Sequence, residues 1–299
     1  MGTVLYERNE LEEAALSSEL SVKWSELGGF AENRIPAYYC LAQKLLAKGE
    51  LARAEEEMKK GDEASRHPTV SPVSKAWHLA DRVLLAIQQD DTDAAREWGR
   101  QLSGYPLDTL WTWLQHARAR LAIALGDVSS AREQLGRLYE KAIQADALGY
   151  AIRLRVYQAL AAATPEEAMA FLGDALKMGE PEGFIRTFVD EGKLLRPLLA
   201  RAVTKGVSAP YASKLIGIID AEEAIRKAGM PGKPQAGVLS ERELEILRLI
   251  AAGLSNRQIA ARLVITLNTA KTHVHNISQK LEVSTRTQAI ARARELKLI

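Results

Sequence analysis

Apolar and small residues recur along residues 1 to about 180 with a long, regular period. Aligned on the turn residues Asn9, Gly49, Asp90, Gly126 and Ala163, every copy has alanine five positions later: Ala14, Ala54, Ala95, Ala131 and Ala168. Three positions before the turn stand Tyr6, Leu46, Ile87, Ile123 and Leu160, and four before stand Leu5, Leu45, Ala86, Ala122 and Ala159. The turns are spaced 40, 41, 36 and 37 residues apart. Strand-type alternation is nearly absent, so the region reads as all helix.

A period of this size, with small residues where two helices must approach, predicts a solenoid of helical hairpins of the tetratricopeptide type, somewhat longer than the usual ~34-residue unit. The expected hairpins are 33–65, 73–104, 109–146 and 149–179. The first copy has room for only a short leading helix, from Met1 to Arg8. Val4, Leu5 and Tyr6 are therefore expected to stand uncovered, which implies a longer regulator or an end that contacts a partner or a second copy. Residues 179–203 break the period and are expected to add one or two helices that close the stack, before a helix from about Ala209 to Ala228. The stretch GMPGKPQAG, 229–237, has three glycines and two prolines. It reads as a linker between a 1–228 repeat domain and a 238–299 domain.

The pattern changes after the linker. Ser240 with Glu243, and Ser255 with Gln258, have the spacing of capping boxes, which satisfy free N–H groups at a helix start. Gly253 stands where the first of these helices must end, and Thr266 is placed to cap a third that runs to about Leu281. Ala270, Val274, Ile277 and Leu281 share one face of that third helix, while Lys271, Thr272, His275, Asn276 and Gln279 share the other. A short helix, a tight turn and a helix with a polar outer face is a helix-turn-helix, whose second helix lies in the DNA major groove.

At these residues the chain resembles a known family. Arg242-Glu243, Glu245, Leu247, Gly253, Ser255-Asn256, Ile259-Ala260, Leu263, Thr269, Lys271, His273, Asn276-Ile277 and Lys280-Leu281 resemble the LuxR-type DNA-binding domain of bacterial transcription regulators. Ala270 departs from it, the family more often having valine there. The repeats, with EPEG at 180–183 and RTFVDEG at 186–192, are similar to the large regulators related to the maltose-regulon activator. In those a nucleotide-binding module precedes a helical-repeat sensor and a LuxR-type effector. The fold implied is all-α: a tetratricopeptide-like solenoid followed by a four-helix LuxR-type helix-turn-helix domain.

Charge separates the two parts. Residues 238–299 hold ten Lys/Arg against five Glu, net +5, which leaves the rest of the chain at −3 given the total of +2. A basic small domain is the electrostatic footprint of phosphate binding. The single cysteine, Cys40, cannot form an internal disulfide and lies in an apolar stretch as a small core residue. No apolar run is long enough for a membrane helix and no signal pattern opens the chain, so a cytoplasmic protein without membrane contact is expected. Neither Gly192-Lys193 nor Gly232-Lys233 has the glycine spacing and hydroxyl of a P-loop, so no nucleotide cofactor is implied. His273 and His275 are two apart on a helix and diverge, and His67, His78 and His116 are isolated, so no metal site is expected. Arg186 with Asp190 and Glu191 reads as a solvated ion pair. Trp77, Trp98, Trp111 and Trp113 read as packing between hairpins, though Trp111 and Trp113, two apart, cannot share one buried face.

The function these features support is sequence-specific binding of double-stranded DNA in transcription regulation, as an activator, with no enzymatic constellation. Lys271, Thr272 and His275 are the expected base-edge contacts, and Asn256, Thr269, Asn276 and Lys280 the expected phosphate contacts. The resemblance implies a homodimer on DNA through the last helix, about Thr285 to Leu296, and RNA polymerase as a partner. The repeats would receive a small-molecule inducer or a protein. The competing reading is a protein-interaction scaffold whose terminal helical domain does not bind DNA; the charge asymmetry and the polar helix face weigh against it.

Overall fold

A computed structural model describes residues 2–105, 112–229, 241–263 and 285–296, together with Val274, Ile277, Leu281, Val283 and Leu298. The chain forms two compact units, Met1–Glu223 and Ala224–Ile299, and the described residues are helical with no strand.

The first unit begins with ten helices: α1 (Gly2–Glu7), α2 (Leu11–Leu27), α3 (Ala31–Ala47), α4 (Leu51–Ser65), α5 (Pro72–Gln88), α6 (Thr92–Leu102), α7 (Thr112–Ala124), α8 (Val128–Gln144), α9 (Leu148–Leu160) and α10 (Pro165–Glu182). They pair as five antiparallel hairpins, and α3, α5, α7 and α9 pack side by side as the inner layer. The hairpins fall within a few residues of those read from the period.

The turns explain the columns in the sequence. Asn9, Gly49, Asp90 and Gly126 all have left-handed backbone, with φ of 64°, 79°, 60° and 84°. That region suits glycine first and asparagine or aspartate next. At each turn two N–H groups return to the end of the preceding helix. Gly49 N donates to Leu46 O at 3.0 Å and Glu50 N to Leu45 O at 2.9 Å, and the same pair recurs from Asp90 and Asp91 to Ile87 and Ala86. These are Schellman ends, so the columns three and four positions before the turn supply the carbonyls that accept. Ala163 is the exception. Thr164, held extended before Pro165, caps α10 there by accepting from Glu167 N.

Ala14, Ala54, Ala95, Ala131 and Ala168 are all buried where the second helix crosses the first. Asp91, Asp127 and Ser71 each accept a backbone N–H in the first turn of α6, α8 and α5. After α10 the chain forms α11 (Arg186–Val189), α12 (Gly192–Thr204) and α13 (Ala209–Gly229). Phe188 is fully buried in the main core with Leu172, Leu176, Leu195, Leu199 and Leu215.

The ragged start differs from expectation. Val4 is exposed, but Leu5 is half-buried and Tyr6 is buried, because α1 packs against α11. His78 and His116 are core residues, and His78 Nε2 meets Asp62 at 2.8 Å. Trp98 packs in the core beneath the Arg82 guanidinium, whereas Trp77 is at the exposed edge. Trp111 and the Trp113 side chain lie outside the described residues.

The second unit contains α14 (Glu241–Ala251), α15 (Asn256–Arg262) and α16 (Arg286–Glu295). Ile246, Leu247, Ile250, Ile259, Ile277, Leu281, Ala289 and Ala293 form its core. Gly253 ends α14 with φ 85°, and Leu254 N returns to Leu249 O at 3.1 Å. The linker expected at 229–237 falls outside the described residues beyond Gly229.

The backbone geometry separates two glycines. Gly126 at φ +84° sits in a left-handed turn, whereas Gly136 lies inside α8 with open space where a Cβ would stand. Gly126→Ala is expected to lower stability by about 1–2 kcal/mol. Gly136→Ala is expected to raise it by up to about 1 kcal/mol. Urea unfolding of the two variants checks both signs.

Candidate nucleic-acid interface and repeat interior

In the second unit the helix-turn-helix is built from its caps inward. Ser255 and Gln258 form the capping box anticipated at the start of α15. Ser255 N donates to Gln258 Oε1 at 2.8 Å, and Gln258 N donates to Ser255 Oγ at 3.4 Å. Asn256 opens the helix half-buried, flanked by exposed Arg257, and exposed Arg262 closes it. Ile277 and Leu281 are buried and Val274 packs against the same core, so this face is turned inward as its spacing predicts. Ala270, the remaining position of that face, lies outside the described residues. So do Thr269, Lys271, Thr272, His275, Asn276 and Lys280, as do the Ser240 and Thr266 caps.

One contact has no counterpart in the sequence pattern. Arg286, at the start of α16, donates from Nη2 to the carbonyls of Ile250, at 3.4 Å, and Leu254. It satisfies two carbonyls around the Gly253 turn. Thr285 caps α16 with Gln288 in a full capping box.

The second concentration of polar chemistry is inside the repeats. Glu7, at the end of α1, accepts from Thr187 N at 3.0 Å and from Arg153 Nη2 at 2.9 Å. Its own carbonyl accepts from Ile185 N at 2.7 Å. The Tyr6 hydroxyl donates to the Asp190 carboxylate at 3.0 Å. Arg186 is buried against Asp190 and Glu222 and donates to Asn9 Oδ1 at 3.1 Å. Arg120 donates to Glu191 Oε2 at 2.7 Å, with both side chains over nine-tenths buried. The ion pair read as solvated is therefore an internal network. Asp190 and Glu191 stand in the turn between α11 and α12 rather than on a helix, and each meets a buried arginine.

Burial, and then the Arg153 and Arg120 guanidiniums, hold the His116 imidazole well below its usual range. Its Nε2 lies 3.0 Å from the Tyr157 hydroxyl. Burial likewise lowers the Lys44 ammonium, which sits 4.6 Å above the Tyr6 ring, and raises the Cys40 thiol in its half-buried place against the core. Between α1 and α9 opens a cavity of about 500 Å³ walled by Val4, Tyr150 and Phe184, with Glu7, Arg8, Arg153 and Glu182 as its charged groups. Among the described residues no cluster of histidine, cysteine and acidic side chains could hold a metal ion, and no helix is long and apolar enough to cross a membrane.

Residues 1–205 match the family described as the MalT-like TPR region, and residues 237–293 match the bacterial regulatory proteins of the luxR family. The chain belongs to the MalT-like TPR family, with a LuxR-family domain following its repeats. It is 28% identical to the HTH-type transcriptional regulator MalT of Vibrio campbellii, over 98% of this chain and 35% of that protein. Against the MalT of Vibrio cholerae it is 30% identical over 62% of this chain and 22% of the relative. The response regulator protein VraR of Staphylococcus aureus is 56% identical over 62 residues, 21% of this chain and 30% of that protein. The chain spans about a third of the length of the MalT relatives it matches.

Two outcomes follow for the interior. Arg120→Met or Glu191→Leu alone should cost about 3–5 kcal/mol by leaving a buried charge unpaired, and the double variant should recover much of that loss in chemical denaturation. His116 is neutral when folded, while in the unfolded chain it takes up a proton below its ordinary value of 6.5. Its contribution is therefore fully present above that value and is lost as pH falls. Stability measured from pH 7.5 down to 5.5 should drop more steeply for the parent than for His116→Gln, by up to about 1.4 kcal/mol per pH unit.

Proposed function

We propose that this chain is a sequence-specific DNA-binding transcription regulator, acting as an activator, whose helical repeats receive the regulating signal. The observation that carries the reading is the LuxR-family match over residues 237–293, on a unit whose core takes in Ile246, Ile250, Ile259, Ile277 and Leu281. A helical spacing sets Lys271, Thr272 and His275 opposite that face, where base edges would be read. Asn256, Thr269, Asn276 and Lys280 would hold phosphates, a role suited to amide, hydroxyl and ammonium donors. The net charge of +5 over residues 238–299 supplies the salt-dependent part of the affinity.

The working division is a 1–228 sensor, a 229–237 linker and a 238–299 effector. A homodimer on DNA through α16, contact with RNA polymerase and a cytoplasmic location complete the reading. The cavity between α1 and α9 supports a small-molecule inducer, since its volume lies within the range of about 300–1,000 Å³ typical of ligand pockets. The scaffold reading has no observation of its own to favour it.

Binding of the full chain to specific and random duplexes at low and raised salt tests the proposal. Lys271→Ala should cost about 1–3 kcal/mol on the specific site alone. Lys280→Ala should weaken binding to every sequence and flatten the salt slope by about one unit. Absence of salt-dependent duplex binding would remove the DNA reading. An unchanged ratio of specific to random affinity in Lys271→Ala would remove the assignment of faces.

A further inference from the structure

The lining of the cavity between α1 and α9 combines a fixed apolar wall with two free charges of opposite sign. Phe184 anchors the wall. Its N–H donates to Gly179 O at 3.0 Å, and its carbonyl accepts from the Tyr211 hydroxyl. Gly149 makes room for the ring, since a Cβ there would stand 3.1 Å from it. The Phe184 ring can therefore lie against the start of α9, where it lines the cavity with Tyr150 and Val4. Such apolar surface binds through an aromatic or aliphatic body, and the few polar groups around it fix the orientation.

The charged groups of the lining divide into two sets. Glu7 and Arg153 hold each other at 2.9 Å, and Glu7 also accepts from Thr187, so both belong to the internal network. Arg8 and Glu182 are exposed, and neither side chain has an ion pair or hydrogen bond among the described residues, even with the other. They share one rim: a Cβ on Gly183, the residue after Glu182, would stand 4.0 Å from Arg8 Cγ. Helix α10 ends at this rim, and its C-terminal dipole favours a cation beside Glu182. We propose that the cavity takes an aromatic α-amino acid. Its side chain lies among Val4, Tyr150 and Phe184, its carboxylate on Arg8 and its ammonium on Glu182. An α-amino acid carries both charged groups on one carbon, which suits opposite charges on one rim beside an apolar interior. An apolar acid would set its carboxylate near Glu182 with no cation of its own to offset it, and an apolar amine would meet Arg8 in the same way. The ligand class rests on the reading of this cavity as an inducer site.

Calorimetric titration of the full chain with L-phenylalanine, phenethylamine and 3-phenylpropanoate is the test. Phenylalanine should bind at least tenfold more tightly than either analogue, each of which lacks one charged group. Arg8→Gln should weaken phenylalanine and 3-phenylpropanoate at least tenfold and leave phenethylamine no weaker. Glu182→Gln should weaken phenylalanine and phenethylamine and leave 3-phenylpropanoate no weaker. Both side chains are exposed, so the circular dichroism spectrum and melting point should not change. Gly149→Ala, which displaces the Phe184 ring, should weaken all three ligands. An analogue that binds as tightly as phenylalanine overturns the proposal, as does a loss in Arg8→Gln that is equal for all three. Binding of none of the three to the parent overturns it too. The inducer reading has its own measure: it falls if Gly149→Ala leaves transcription from a regulated promoter unchanged.

Discussion

The hairpin crossing is the constraint on which the first unit depends. Two helices joined by three residues can lie close only if the chain reverses through a left-handed residue and the second helix offers a small side chain at the crossing. Asn9, Gly49, Asp90 and Gly126 meet the first condition, and Ala14, Ala54, Ala95 and Ala131 meet the second. Both conditions are local, so they repeat wherever the sequence supplies them. The inner layer of α3, α5, α7 and α9 then follows from stacking like units.

What distinguishes this solenoid is the segment after its last hairpin. Residues 185–191 do not continue the period; they turn inward and supply polar groups to helices far apart in sequence. Thr187 is held by Glu7, Arg186 by Asp190 and Glu222, and Glu191 by Arg120. Replacing a buried ion pair with apolar groups of like volume is often neutral for stability, so such pairs serve geometry more than strength. Here they set how α1, α7, α9 and α11 sit around one another. The cavity beside Arg153 and Phe184 shares Glu7 and Arg153 with this arrangement.

The parts legible in the sequence were those with local causes. Glycine, asparagine and aspartate at the turns, alanine at the crossings, and the Ser255–Gln258 box each report a conformation within a few residues of themselves. Gly253 and the buried Ile277 and Leu281 belong to the same class. The internal network was not legible, because Arg186, Asp190 and Glu191 look like any surface charge cluster until their partners are known. Arg186 finds Glu222 and Asn9 at separations of 36 and 177 positions, and Glu191 finds Arg120 at 71. Tyr6 departs from expectation for the same reason: α1 is short, and its cover comes from the far end of the unit. The groove contacts assigned to Lys271, Thr272 and His275 rest on helical spacing alone, since those residues lie outside the described ones.

The bond between Glu7 and Thr187 spans 180 residues in a fold whose other pairings are mostly between neighbouring hairpins. A linear array can begin folding at any hairpin and spread, but this contact must wait for both ends. During synthesis at about 5–20 residues per second, α1 leaves the ribosome roughly ten to forty seconds before its partner exists. Throughout that interval Tyr6 and Glu7 lack the neighbours that bury them, and the later hairpins assemble without an N-terminal anchor. Long-range closure of this kind slows folding relative to an open array of the same length. It also ties α1 to α11, so a clip beside either would loosen the other.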